Sequence, residues 1–321
     1  MPAIDVERDG RVAQFHGSWY RGEHTNFIPS KADLKEPLAL DRYVLAGWEP
    51  PAPFIRRQSC VLAFGSCFAA NVTKHLARRG YSVLGNDLTL QTHIIRFAEG
   101  MVSTHSMLQQ FQWAFEGRQF PPNIWISKDK EIADLTPAVR DQTRRLIEAT
   151  DVFVLTLGLS EIWYDKPSGE AFWRAIPKAF YDPERHGFRV STVEENSRNI
   201  RDILDIIARA RPGAKVVLTL SPVPLMATFR PISCITASSV SKAILRVGID
   251  QVMSEARPNV HYFPSYEMVL SAYDAPFQED NRHPRDEIVS EVMDVFERFY
   301  CLSDDGLRGE GGDGKARSGA A

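Results

Sequence analysis

The sequence predicts an α/β protein in which a parallel sheet is covered by helices on both faces. Five short apolar runs rich in β-branched residues recur along the chain, and helical stretches separate most of them. Continuous apolar runs are typical of strands that are buried on both sides. Strands alternating with helices at this spacing favour parallel pairing. The runs are CVLAF (60–64), YSVL (81–84), DVFVLTL (151–157), AKVVLTL (214–220) and NVHYF (259–263).

Helical periodicity occupies most of the segments between these runs. The predicted helices are AANVTKHLARRG, TPAVRDQTRRLIEAT, VEENSRNIRDILDIIARARPG, SVSKAILRVGIDQVMSEARP and PRDEIVSEVMDVFERFY. Residues 85–150 and 160–195 are longer than simple crossover connections. We therefore interpret them as insertions that shape a site. Four aromatic residues of the second insertion are expected to line it: Trp163, Tyr164, Phe172 and Trp173.

The chain divides into three segments by composition. Residues 1–57 are rich in proline, glycine and aromatic residues with little periodicity, and they are predicted to form an arm that packs on the main domain. Residues 58–302 carry the strand–helix alternation and form that domain. Residues 303–321 are small and polar, so they lack the apolar surface that would order them, and we predict a disordered tail.

Composition excludes several classes of partner. The 38 basic and 41 acidic residues give a formal charge of -3, which predicts no nucleic-acid-binding surface. The four cysteines are scattered without metal-ligand spacing, so we predict reduced thiols, no metal and no cofactor. The first residues lack the apolar core of a signal peptide, and no apolar run approaches the roughly 18 residues that span a bilayer. We predict a cytoplasmic protein without a membrane span; the pattern does not define its oligomeric state.

Small polar residues follow the predicted strands. Gly65-Ser66-Cys67 follows the first run, Gly158-Leu159-Ser160 with Glu161 follows the third, and Ser221 follows the fourth. Because the carboxyl ends of parallel strands meet at one edge, ligands of such sheets bind there. These residues are therefore predicted to line one site.

Asp280 and His283 follow the last run and complete a chemical pattern. Their i, i+3 spacing lets the carboxylate contact the imidazole and select its tautomer. Ser66 at a helix N-terminus would present its own N–H and the helix dipole to a developing oxyanion. Since a serine hydroxyl needs a base to become a nucleophile, the three residues together predict acyl transfer.

Ordered sequence blocks add a family resemblance. GSCFA (65–69), TLGLSEIWYD, LTLSPVPLMATF, SKAILR, YFPSYEMV and DNRHP resemble blocks of the GSCFA-domain family, in the same order. That family is similar to the SGNH (GDSL-like) hydrolases. The resemblance implies a flavodoxin-like, three-layer α/β/α fold with a five-stranded sheet. It also implies ester chemistry, with Ser66 as nucleophile and Asp280 and His283 completing the triad.

The oxyanion donors are the point where the chain departs from the SGNH pattern. Those enzymes place an asparagine in a G-x-N block, where this chain has Gly158-Leu159-Ser160. The resemblance leaves the Ser66 N–H, Gly85 and Ser160 as candidate donors. Gly158, Glu161 and Ser221 are expected to support the site or contact substrate, and Glu161 is a candidate partner for an arginine such as Arg282.

The expected function is a serine-dependent acyl-ester hydrolase or O-acyltransferase that acts on a small molecule or a glycan. An inactive glycan- or nucleotide-sugar-binding module on the same fold is the alternative, because Ser160 replaces the expected asparagine. A third interpretation makes Cys67 the nucleophile, since thiols are activated at helix N-termini, although its side chain is expected to point away from Ser66.

Structural interpretations of the same residues also remain open. Ser66 is a suitable N-cap, which alone stabilises a helix by about 1 kcal/mol. Asp280 and His283 fit an acidic turn that caps the last helix. Ser241 and Lys242 open a predicted helical stretch, where the lysine either attracts an anionic substrate group or is solvated or ion-paired.

Overall fold

The computed structural model describes residues 3–8, 11–16, 26–86, 89–96, 100–121, 124–125 and 135–302. The strands in this part of the chain are β1 (Ala3–Arg8), β2 (Arg11–His16), β3 (Val61–Gly65), β4 (Val152–Leu157), β5 (Glu161–Asp165), β6 (His186–Val190), β7 (Lys215–Leu220) and β8 (Val260–Phe263). The α-helices are α1 (Cys67–Arg78), α2 (His93–Arg96), α3 (Thr104–Phe111), α4 (Pro137–Glu148), α5 (Val193–Ala210), α6 (Cys234–Met253), α7 (Ser265–Ala272) and α8 (Asp286–Tyr300).

The central sheet is parallel and has the order β3-β4-β7-β8. Every residue of β3 and β4 is buried, as their continuous apolar sequences predict. Val61 pairs with Val152, and Val152 with Lys215, so the first three strands begin at one level. Their carboxyl ends therefore meet at one edge, where the site was expected.

The prediction of a second strand at residues 81–84 is wrong. Residues 81–84 contribute a single parallel bridge between Val83 and Val61, and the chain then turns into a 3-10 helix at Leu84–Asn86. The sheet consequently has four strands instead of five. The bridge lies beside β3, in the position that the second strand takes in the flavodoxin-like order 2-1-3-4-5, so the predicted fold class is confirmed.

Alternating side chains of the strands divide the core into two layers. Phe153 and Leu155 of β4 face the cluster formed with α3, α4, α5 and α6. Val152 and Val154 face the cluster formed with α1, α7 and α8. Because successive strand residues point to opposite faces, one apolar run fills both layers. The result is the predicted helix–sheet–helix arrangement.

An antiparallel hairpin of β5 and β6 interrupts the α/β pattern between β4 and α5. Residues 160–195 were predicted to form an insertion, but no strands were predicted in it. Trp163 pairs across the hairpin with Phe188, and their rings lie 5.3 Å apart. Phe229, from the loop after β7, packs on both rings at 4.9 and 5.3 Å. This aromatic cluster joins the hairpin to the loop.

The described part of the predicted arm, residues 26–57, enters the core. Leu40, Leu45 and Ile55 belong to the cluster around α1 and α8, and Ile55 pairs with Cys301 beyond the last helix. The two strands β1 and β2 pair antiparallel with each other. The domain boundaries at 57 and 302 stay predictions, and the predicted tail, 303–321, lies outside the described residues.

Within the described ranges, no helix is both long and apolar enough to cross a membrane.

Candidate active site

Ser66 occupies the junction between β3 and α1. Its backbone is extended and its Oγ accepts the Phe68 N–H at 3.2 Å, so the residue is the N-cap of α1. Its own N–H donates to Thr156 O at 3.2 Å, which continues the ladder between β3 and β4. That bond corrects one expectation, because a Ser66 N–H held by Thr156 O is not directed at a ligand.

Gly65 explains how the chain reaches this junction. Its φ of +137° is a conformation that side chains disfavour, and a Cβ at this position would lie 2.0 Å from Thr156 O. Only glycine fits, because β4 approaches the backbone directly. The close approach directs the chain from the strand into α1 and sets the position of Ser66.

Asp280 and His283 form the predicted carboxylate–imidazole pair. Asp280 Oδ2 lies 2.5 Å from His283 Nδ1, and Oδ1 accepts the backbone N–H groups of Arg282 and His283 at 3.0 and 2.9 Å. Asn281 has a φ of +52°, a left-handed conformation that asparagine tolerates, and it closes the turn. The carboxylate is therefore fixed by its own turn. It does not cap α8, which begins after Arg285 without a side-chain cap.

The partners of His283 determine its tautomer. Hydrogen bonds lower the pKa of the Asp280 carboxyl to about 2. The largest effect comes from the backbone N–H of His283, and the next from its imidazole. The ionised carboxylate can only accept, so Nδ1 carries the proton. Arg282 Nη1 lies 3.3 Å from His283 Nε2, and since a guanidinium can only donate, Nε2 is the acceptor. A lone pair on Nε2 is what a general base needs.

A cavity of about 440 Å³ brings these groups together at the carboxyl edge of the sheet. Ser66, Cys67 and His283 all line it, although no hydrogen bond joins Ser66 to His283 in the described structure. Cys67, the first residue of α1, lines the same cavity as Ser66, and the expectation that its side chain points away from Ser66 stays a prediction. The volume is suited to a small organic ligand.

Aromatic residues form much of the cavity wall. Trp163, Phe172 and Trp173 line it, as predicted, together with Phe188 and Phe229. Tyr164 is a correction: neighbouring strand residues face opposite sides, and its ring lies against Gly187 on the other face of the hairpin.

Two predicted oxyanion donors lie away from the cavity. Ser160 is completely buried, and its N–H donates to Ser241 Oγ at 2.8 Å, so it faces α6 instead of the ligand space. Gly85 lies in the short 3-10 helix beside β3 and is not among the described residues that line the cavity. Both assignments are corrected, because neither residue lines the cavity.

The three remaining predicted residues, Gly158, Glu161 and Ser221, do line the cavity. Both carboxylate oxygens of Glu161 lie 2.9 Å from Thr228 Oγ1, and Arg230 Nη1 is 3.9 Å away. The arginine near Glu161 is therefore Arg230 and not Arg282. The serine hydroxyl of residue 221 accepts the Val223 N–H and shapes the following loop.

The burial of Lys242 was not predicted from the sequence. The helix α6 begins at Cys234, so Lys242 lies well inside it, with a residue exposure of 3%. Its Nζ donates to Gly158 O at 2.7 Å and to Ser221 O at 2.8 Å. Burial lowers the pKa of Lys242 to about 7, with Arg282 acting in the same direction and Cys67 in the opposite one. A helical sequence motif alone does not distinguish this lysine from a solvated one.

Among the residues that the structure describes, one group outside the cavity offers side chains that could bind a metal ion. His75, Asp294 and Glu297 offer ligand atoms within 4.8 Å of one another, between α1 and α8. Arg79 lies 3.2 Å from Asp294 and 3.5 Å from Glu297, so the two carboxylates already have a cationic partner. The cluster is consistent with an ion-pair network, and the absence of a metal stays a prediction.

The geometry defines an α/β protein with a ligand-sized cavity that is lined by a helix-capping serine and by the histidine of a carboxylate–histidine pair. The chain belongs to the GSCFA family, whose model matches residues 60–296. Among solved structures, it is similar to a protein from Parabacteroides merdae assigned as a GDSL-like lipase, with 11% identity, a TM-score of 0.39, and coverage of 77% of this chain and 98% of that one. A GDSL-like lipase from Bacteroides thetaiotaomicron is similar at 12% identity and a TM-score of 0.37, with coverage of 75% and 86%. Comparison with curated proteins gives no significant match.

Proposed function

We propose that this chain transfers the acyl group of an ester through a covalent acyl-serine at Ser66. The observation that carries the proposal is the pairing of His283 with Asp280. It leaves the Nε2 lone pair on the lining of the cavity that Ser66 also lines. A base in the correct tautomer that lines the same cavity as a hydroxyl at a helix N-terminus is the set of groups that activation of a serine requires.

The first half-reaction follows from these positions. His283 Nε2 takes the proton of Ser66 Oγ while that oxygen bonds to the ester carbonyl carbon, and the carbonyl oxygen becomes an oxyanion. Asp280 stabilises the imidazolium through the hydrogen bond at Nδ1. When the tetrahedral intermediate collapses, the bond to the leaving oxygen breaks. That alcohol receives the proton from Nε2.

The acyl-serine then reacts with water or with an acceptor alcohol by the same steps in reverse roles. Aromatic walls such as Trp163 and Trp173 suit a sugar ring, whose apolar faces stack on indole, and this supports a glycan as leaving group or acceptor. Hydrolysis and O-acyl transfer share every residue of the scheme, and they differ in whether the cavity admits water while the acyl group is bound.

Cys67 is a second candidate nucleophile. It is the first residue of α1, it lines the same cavity, and it is more exposed than Ser66, whose exposure is 5%. It also interacts electrostatically with the buried Lys242, and a neighbouring cation is a common feature of reactive cysteines. The two nucleophiles predict different sensitivities to substitution.

Turnover of p-nitrophenyl esters of increasing acyl length tests the proposal. We expect wild type to release p-nitrophenol, Ser66→Ala to lose roughly 10³-fold or more in kcat, and Asp280→Asn to lose about 10²-fold or more, because the tautomer is no longer enforced. Cys67→Ala, which also changes the first turn of α1, serves as the matched control and should keep activity within about 3-fold.

Different outcomes favour the alternatives. Loss of turnover in Cys67→Ala with retention in Ser66→Ala would assign the chemistry to the thiol. If a folded wild type cleaves no ester but a glycan or nucleotide sugar raises its melting temperature, the chain is a binding module, and the acyl-transfer proposal is wrong.

A further inference from the structure

Arg282 lies at the end of the cavity that holds His283 and has no anionic partner among the described residues. It lines the cavity, and its guanidinium contacts Pro224 O at 3.4 Å and His283 Nε2 at 3.3 Å. Both acceptors are neutral, and no carboxylate in the described parts of the chain forms an ion pair with it. The carboxylate of Glu161 is held by Thr228 and lies near a different arginine.

Lys242, in its protonated form, is a second cation, and it lies directly beneath the cavity floor. Its two hydrogen-bond acceptors, Gly158 O and Ser221 O, belong to residues that line the cavity at the ends of β4 and β7. As with Arg282, no ion pair with a carboxylate is found for it across the residues that the structure describes. A buried ammonium is costly, which is why burial lowers the pKa of Lys242, and an anion bound nearby would favour its protonated form.

None of the three predicted oxyanion donors is available to a ligand in the cavity. The Ser66 N–H is bonded to Thr156, Ser160 faces α6, and Gly85 lies outside the cavity lining. An acyl-transfer site nevertheless develops a full negative charge on the carbonyl oxygen, and stabilising it is usually the largest electrostatic contribution to catalysis.

We propose that Arg282 is the oxyanion-stabilising residue of this site and that Lys242 is a positioning residue, which joins β4 to β7 under the cavity and adds a positive charge in its protonated form. This inference rests on the proposed function, because the anion it assigns is the tetrahedral intermediate of acyl transfer. Arg282 lies one hydrogen bond from Nε2, the atom that takes the proton of the nucleophile. When the oxyanion forms, a guanidinium N–H of Arg282 exchanges the neutral acceptor His283 Nε2 for the charged oxygen. The new hydrogen bond is stronger because its acceptor is ionised.

Binding of a non-reacting tetrahedral anion isolates this role from turnover. Butylphosphonate is titrated calorimetrically, at low ionic strength, into wild type, Ser66→Ala, Arg282→Ala and Arg282→Lys, with pentanamide as the neutral ligand of similar length. We expect wild type and Ser66→Ala to bind the anion with similar Kd. Arg282→Ala should bind it roughly 10- to 100-fold more weakly, and Arg282→Lys should be intermediate. Pentanamide should bind all four proteins alike.

Arg285→Ala is the matched control. It removes a positive charge from the same loop but lies outside the cavity lining, where Arg285 pairs with Glu287. It should change anion binding by less than about 3-fold, because exposed charges are screened. Lys242→Met should weaken binding of butylphosphonate and leave binding of pentanamide unchanged. A melting curve establishes that this variant is folded.

The results separate this inference from the proposed function. If wild type binds butylphosphonate no more tightly than pentanamide, or if Arg282→Ala binds it as wild type does, the anion role is overturned even when esters are cleaved. If the Arg282 dependence is found and no ester is cleaved, the anion-binding assignment stands and the acyl-transfer chemistry fails.

Discussion

At the scale of single residues, Gly65 determines where the Ser66 hydroxyl lies. A Cβ at position 65 would overlap Thr156 O, and the backbone would also leave its φ of +137°. The same interstrand contact holds the Ser66 N–H. A substitution here must therefore move the candidate nucleophile as well as strain the sheet.

Gly65→Ala is expected to lower the free energy of unfolding by roughly 3 kcal/mol, because it combines a disfavoured φ with a steric overlap. Gly85→Ala is the control, since a Cβ there meets nothing within 4 Å. It should change stability by less than about 0.5 kcal/mol. Urea unfolding of both variants measures the difference, and equal stabilities would contradict the role given to Gly65.

The residues of the site that sequence predicts best are those whose partners are local. Asp280 and His283 are three positions apart, so one turn brings them together whatever the rest of the chain does. Ser160 and Lys242 depend on how α6 packs beneath the sheet, and the distance along the chain from Ser160 to Ser241 is 81 residues. Their burial could not be predicted, because nothing in the local pattern records that contact.

At the scale of elements, the β5–β6 hairpin and the loop after β7 form one wall of the cavity. Phe229 connects them by packing on Trp163 and Phe188, although 54% of it remains exposed. The hairpin escaped prediction because β5 lies inside the TLGLSEIWYD block, which was interpreted as part of a site, and β6 (HGFRV) contains no continuous apolar run. The longer helices α1, α4, α5 and α8 were predictable from periodicity sustained over several turns.

Phe229→Ala should raise KM for long-chain esters by about 3- to 10-fold and leave kcat within about 2-fold, because it removes apolar wall without touching Ser66 or His283. Ile235→Ala is the control, since Ile235 is largely exposed and is not among the lining residues. Steady-state kinetics with esters of two acyl lengths distinguishes them. A loss confined to kcat would mean that Phe229 positions the catalytic groups instead.

At the scale of the whole molecule, the order of the sheet explains the site. The parallel strands β3, β4 and β7 end at one edge, so residues distant in sequence, such as Ser66, Gly158 and Ser221, line one cavity. Because both faces of the sheet are buried, its strands could be predicted from continuous apolar runs. The second run was the exception, because residues 81–84 lie at the edge beyond β3, where a single bridge to Val61 replaces a full ladder.

The central claim is that Ser66 is an activated nucleophile, and labelling with a fluorophosphonate probe tests it most directly. The probe phosphonylates activated serines, and mass spectrometry of the digested protein locates the modified residue. We predict a modification at Ser66 in wild type and in Cys67→Ala, slower labelling in Asp280→Asn, and none in Ser66→Ala. A folded wild type that binds butylphosphonate in the cavity yet remains unmodified would contradict the claim and leave Ser66 as the N-cap of α1.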